Sequence, residues 1–187
     1  MDFNSETLQA GQLLLSEPFM IDVYFRRAAV LLTEHSKNGS VGFILNKPFD
    51  NKFNDIVQNM PVYDGPIFYG GPVANDQLFY IHKLGKKIKN SIKIQEDLFW
   101  GGDFENVVSL LEKKDFKPND IHFFVGYSGW DVGQLEKEMK KKSWIIAQPD
   151  NDLILNSNSK NLWGDVLKTM GSEFSMMANF PEDPSLN

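Results

Sequence analysis

Apolar runs along this chain are short and repeatedly cut by turn-forming residues. Leu13-Leu14-Leu15 stops at Ser16-Glu17-Pro18, and Ala28 to Thr33 forms a second run with β-branched Val30 and Thr33. Both predict buried strands. Ser36 to Ser40 has strong turn chemistry, because its Asn38-Gly39 pair readily accepts positive φ, and Val41 to Leu45 resumes the apolar pattern. A β-hairpin from about Ala28 to Asn46 follows, ended by Pro48, which cannot donate to a ladder. Ile67–Tyr69, Leu78–His82, Ser91–Ile94, Ile121–Val125, Trp144–Ala147 and Asp152–Leu155 read as further short strands.

Helical spacing is confined to four segments. Phe53 to Met60 places Phe53, Ile56, Val57 and Met60 on one face. Asp103 to Lys114 has Asp103 as N-cap, a stripe of Phe104, Val107, Val108 and Leu111, and lysines at its end. Val132 to Lys142 begins with a box of Asp131 and Gln134, pairs Glu136 with Lys140, and collects Lys140-Lys141-Lys142 late. Lys160 to Met170 stops at Gly171, a C′ glycine. The first strands are hairpin neighbours rather than βαβ units. The pattern therefore predicts an α+β fold: one compact domain over residues 1–180, with a mixed, largely antiparallel sheet and three or four flanking helices. Residues 181–187, with two prolines and two acids, read as a flexible tail.

Composition narrows the function classes. The chain has 187 residues, 19 Lys plus Arg against 25 Asp plus Glu, and a net charge of −6. An acidic surface of this kind is a poor match to phosphate backbones, so direct DNA binding is not expected. There is no cysteine, which removes disulfides, thiolate catalysis and thiolate metal sites. No H-x-x-x-H or H-E-x-x-H spacing occurs, and neither metal nor cofactor is expected. No apolar run approaches the roughly 20 residues that span a bilayer, and Met1 to Ala10 lacks a leader pattern, so the expected location is the cytoplasm.

Several segments could carry chemistry. Gly126 to Gly133 is expected to follow a strand and precede a helix, the layout in which free amides hold an anion. Its spacing matches no phosphate-loop motif, no lysine enters, and Asp131 would repel an anion, so a tight structural turn is the plainer reading. Gly126-Tyr127-Ser128-Gly129-Trp130 nearly matches a nucleophile elbow, with Trp130 where the second flanking glycine belongs. Glu34-His35 is an acid and a base at a strand end, although neighbours on a strand face opposite ways. Arg26-Arg27 could take a carboxylate or phosphate, or simply pair with local acids. The lysine clusters read as solvated charge, and Trp100, Trp130, Trp144 and Trp163 as core or interface anchors.

Taken in order, Gly11-Gln12-Leu13-Leu14, Asp22 to Ala28, Glu34-His35, Gly42 to Pro48, Gly70-Gly71-Pro72-Val73, Gly126 to Trp130 and Gly133 to Glu136 resemble the AlgH/YqgE family of small bacterial proteins. Trp144 and Trp163 fit the same pattern, and the resemblance spans about residues 11 to 171. It implies one α+β domain with an unusual mixed sheet. Members are often labelled transcriptional regulators, and no activity is agreed. Some relatives carry cysteine just before Glu-His; here Thr33 stands there, so no thiol role transfers. Relatives with alanine at Ser128 weaken the nucleophile-elbow reading. The motif residues expected to line a shared surface are Arg26, Glu34, His35, Asn46, Lys47, Tyr127, Ser128, Trp130 and Gln134. The resulting expectation is a cytoplasmic regulator acting through an unidentified protein or small-molecule partner, without catalytic residues. The alternative is an anion- or small-molecule-binding protein, or an unrecognised enzyme, using the Gly126–Gly133 turn with Arg26 and His35.

Overall fold

One ten-residue strand, β8 (Ile121–Trp130), organises the sheet. The computed structural model describes residues 7–149, 151–156 and 160–181, which include nine strands and six α-helices. The strands are β1 (Leu13–Ser16), β2 (Ala29–Ser36), β3 (Gly39–Ile44), β4 (Ile67–Tyr69), β5 (Val73–His82), β6 (Ile92–Gln95), β7 (Leu98–Trp100), β8 and β9 (Trp144–Ala147). They join in the order β6-β7-β5-β8-β3-β2-β1-β9, every pair antiparallel. Only β4 runs parallel to its partner, lying beside Phe123 to Val125 of β8. The α+β fold with a mixed, largely antiparallel sheet is as the sequence predicts.

Strand alternation explains how the sheet is buried on both faces. Leu13 and Leu15 enter a core with Leu162, Trp163, Val166 and Leu167, whereas Leu14 enters another with Leu135, Met139 and Trp144. The first core lies under α4 (Asn151–Asn156) and α5 (Leu162–Thr169), with α6 (Ser172–Ala178) packed beside it; the second lies under α3 (Gln134–Lys140). A third core gathers Phe53 of α1 (Phe53–Ile56), Val107, Leu110 and Leu111 of α2 (Phe104–Lys113), and Phe123 of β8. Each large side chain fully withdrawn from water contributes about 1.5–3 kcal/mol.

Several elements depart from the sequence reading. Asp152–Leu155 is not a strand but part of α4, with Ile154 and Leu155 in the core; so short an apolar run has no period to separate the two forms. The helix from Phe53 stops at Ile56, because the Asn54 amide captures the Met60 and Pro61 carbonyls and draws the chain into a loop. Asp103 occupies the N-cap of α2 but accepts from the Asn90 amide instead of capping. The α2 stripe is Val107, Leu110 and Leu111, leaving Phe104 exposed. β7, α4 and α6 add elements, so the helices among the described residues number six rather than three or four. The expected tail lies outside the described residues from 182 onward.

The predicted Gly126–Gly133 turn is mostly strand. β8 continues to Trp130, pairing Ser128 to Trp130 with β3, and only Asp131 to Gly133 turn into α3. Glycine serves here to let two backbones cross: Gly126 has φ +70°, and a Cβ on it would stand 2.5 Å from the Gly71 carbonyl oxygen. Among the described residues no helix is long and apolar enough to cross a membrane.

Candidate functional site

The β2–β3 hairpin brings His35 opposite Ser40. Leu32 pairs with Gly42 and Glu34 with Val41, leaving Thr33 as a bulge whose hydroxyl donates to the Val41 carbonyl at 3.1 Å. Past this bulge His35 Nδ1 lies 2.8 Å from Ser40 Oγ, and His35 Nε2 lies 3.9 Å from Glu136 Oε1 on α3. The acid facing His35 is therefore Glu136 and not its sequence neighbour Glu34, which is half-buried on β2. A residue from another element could not be assigned by strand spacing alone.

Trp130 and Gln134 meet at a residue the sequence reading missed. Glu138 Oε2 accepts the indole N–H of Trp130 at 2.9 Å and of Trp144 at 2.8 Å, while Glu138 Oε1 accepts from Gln134 Nε2 at 2.9 Å. Phe25 stacks near Trp130 and meets Trp144 edge-on. Gln134 Oε1 also takes the Asp131 backbone N–H, which is half of the expected capping box. The helical i,i+4 spacing of Gln134 and Glu138 was the signal available for this cluster.

Asn46 and Lys47 hold loops. The buried Asn46 accepts from the Ala29 N–H at 2.9 Å and donates to the Arg27 carbonyl at 2.8 Å. Lys47 Nζ donates to the Val23 and Tyr24 carbonyls, at 3.1 and 2.6 Å. Burial lowers the Lys47 pKa below the usual lysine value; nearby Asp22 opposes that shift and Arg26 adds to it. Arg26 itself is exposed, whereas Arg27 lies over the Trp163 ring, 5.1 Å from its centre, and donates to the Phe180 carbonyl.

Ser128 is sealed. It has no exposed surface, and its hydroxyl donates to the Gly70 carbonyl at 3.0 Å. An oxygen in that position has no approach for a substrate. Tyr127, half-buried, packs edge-on against Phe79. The other two histidines are enclosed as well: His82 has no exposed surface and His122 only 1%. Desolvation lowers both to about 4, so the folded protein keeps both imidazoles neutral at pH 7. Among the described residues no group of three His, Cys, Asp or Glu is placed to hold a metal.

The nine motif residues therefore do not form one ring of side chains. Trp130 and Gln134 share Glu138, Asn46 and Lys47 hold neighbouring loops, and of the nine only His35 lines a wide groove on the surface. That groove, of about 840 Å³, lies between Thr7 and Leu8, the Glu17–Phe19 corner, α3 and α6. Its walls include Phe19, Met139, Trp144, Phe174, Met177 and Phe180. Phe19 stacks on Phe180 with ring centres 5.4 Å apart, and the Arg27 bond to Phe180 holds that wall to the sheet. A second cleft, of about 710 Å³, lies by α1 and the loop from Val62 to Pro66.

These features define an α+β protein on one mixed sheet, with helices on both faces and an apolar groove along one side. The chain belongs to the AlgH-like family, whose model matches residues 13–175. It is 40% identical to a UPF0301 protein of Cytophaga hutchinsonii over 181 residues, 96% of this chain and all of that one. A UPF0301 protein of Bacteroides fragilis is 39% identical over 178 residues, 95% of this chain and 90% of its own. Among solved structures, a Corynebacterium diphtheriae protein superposes with a TM-score of 0.77 at 21% identity, covering 94% of each chain. The solution structure of the AlgH protein from Pseudomonas aeruginosa gives 0.73 at 19% identity, covering 95% of this chain and 98% of that one. At those identities the structural likeness concerns the fold.

Proposed function

We propose that this protein is a non-catalytic binding protein of the cytoplasm, acting through occupancy of the groove beside α3 and α6. The observation that carries the reading is the groove itself. Its volume falls in the roughly 300–1,000 Å³ range of small-molecule sites, and its walls combine aromatic and thioether side chains with several charged groups. The chemistry of the other motif residues supports the same view. Ser128, Asn46, Lys47 and the pair Trp130 and Gln134 direct their polar atoms at backbone or at Glu138, which stabilises irregular chain rather than a reacting atom. A regulatory role then follows from ligand binding that favours one arrangement of the groove walls. No direct contact with DNA belongs to this reading, in keeping with the net charge of −6.

The test is a thermal-shift screen of apolar and amphipathic small molecules against the protein and Met177→Trp, which fills the groove. A ligand that binds only the folded state raises Tm by mass action. Hits that raise Tm in the parent and not in Met177→Trp are expected. Hits indifferent to the substitution would place binding elsewhere and refute the reading.

A further inference from the structure

We infer that the groove takes an amphipathic carboxylate, a hydrocarbon or aryl body ending in one anionic group; this rests on the groove being the binding site. Five ionisable side chains line the groove: Glu17, His35, Glu136, Lys140 and Lys142. Each carboxylate keeps its charge but has a contact within the chain. Glu17 accepts the Phe19 N–H at 3.0 Å, and Glu136 faces His35 at 3.9 Å. The Lys140 and Lys142 ammoniums have no hydrogen-bond or ion-pair partner among the described residues. Lys140 is the last residue of α3, and Lys142 lies just beyond it, where its own backbone turns left-handed, φ +60°. The groove therefore joins an apolar wall to two uncommitted cations.

A wholly apolar occupant would gain nothing from these exposed cations, and a cationic head placed at their end of the groove would meet like charge. An anionic head with an apolar body satisfies both halves. Met139 connects them: it belongs to the wall, lies one residue before Lys140, and its carbonyl accepts the Lys142 N–H at 2.9 Å. The tail then lies along Met139, Trp144, Phe174 and Met177, and the head projects past the end of α3.

Decanoate, decyltrimethylammonium and 1-decanol, each below its aggregation concentration, are titrated by isothermal calorimetry into the parent, Lys140→Gln/Lys142→Gln and Met177→Trp. The two lysines are surface residues, so the double variant should retain the parent Tm. Decanoate is expected to bind about 10-fold tighter than the cation, a preference lost in the double variant and weakened by salt, as two partly exposed charge contacts imply. Equal binding of all three amphiphiles, abolished by Met177→Trp, overturns the carboxylate assignment and leaves the groove as the site. Binding that survives Met177→Trp, or no binding by any of the three, overturns the groove reading and the assignment with it.

Discussion

Acidification to pH 5 will destabilise this protein through two buried histidines. His82 Nδ1 accepts the Leu84 N–H at 3.2 Å, so Nε2 carries the hydrogen and points to the Gly101 carbonyl at 3.3 Å and Ser91 Oγ at 3.0 Å. A second proton would have to enter at Nδ1, where it meets another donor. His122 Nε2 is buried with no hydrogen-bond partner, beside the Phe68 ring, and the Lys83 charge adds to the cost of protonation there. Burial is the larger cause at both, and both pKa values fall to about 4. The unfolded chain takes up protons as pH drops through about 6.5, while the folded chain holds off until about 4. Stability is therefore full above about pH 7, falls as pH drops from there, and levels off below about 4. At pH 5 each histidine costs about 2 kcal/mol relative to pH 8, and the two together about 4 kcal/mol. For a chain of this size that corresponds to a drop in Tm of roughly 8–16 °C. Urea unfolding at pH 8 and pH 5 measures it directly, and His82→Gln and His122→Phe should each remove about half of the pH dependence. A stability that does not change between the two pH values, or a dependence that survives both substitutions, would refute the reasoning.

Two further substitutions separate structural polar groups from chemical ones. Glu138→Ala leaves the Trp130 and Trp144 indole N–H groups without their acceptor and should cost about 2–4 kcal/mol, read from urea midpoints; a loss under about 0.5 kcal/mol would show that the clamp carries no weight. Ser128→Ala should cost only about 0.5–1.5 kcal/mol, because the Gly70 carbonyl keeps its bond from the Ile44 N–H, and ligand binding in the groove should be unchanged. A larger loss of stability, or a change in binding, would show that Ser128 does more than fasten β8 to the β4–β5 turn.

How far the sequence could be read depended on whether a residue's partner was near in the chain. The β2–β3 hairpin was legible because Asn38-Gly39 and the flanking apolar runs are local, as was α5 with its closing Gly171. The Asp152–Leu155 run was not, since three adjacent apolar residues fit either a strand or a buried helical turn, and packing under the sheet decides. The end of β8 was misread for a related reason. Glycine at 126 and 129 suggests a turn, but β3 and the β4–β5 crossing supply backbone partners that keep the strand extended.

The same division runs through the candidate site, and it bears on function. Residues rich in chemistry stood out in the sequence because they are polar amid apolar runs, yet most of those polar atoms are satisfied by backbone from distant segments: Asn46 by Ala29 and Arg27, Lys47 by Val23 and Tyr24, Ser128 by Gly70. A fold that pairs hairpin strands, one parallel strand and a crossing turn on a single sheet leaves many irregular carbonyls to satisfy, and these side chains satisfy them. The groove drew little notice in the sequence for the opposite reason. Its walls come from single apolar residues spread from Leu8 to Phe180, and the Lys140 and Lys142 ammoniums, unpaired among the described residues, sit in what reads as an ordinary run of solvated lysines. Because the polar residues that stand out are spent on holding the backbone, the proposed binding rests on residues of the groove, and Met177 and Lys142 are better first targets than Ser128.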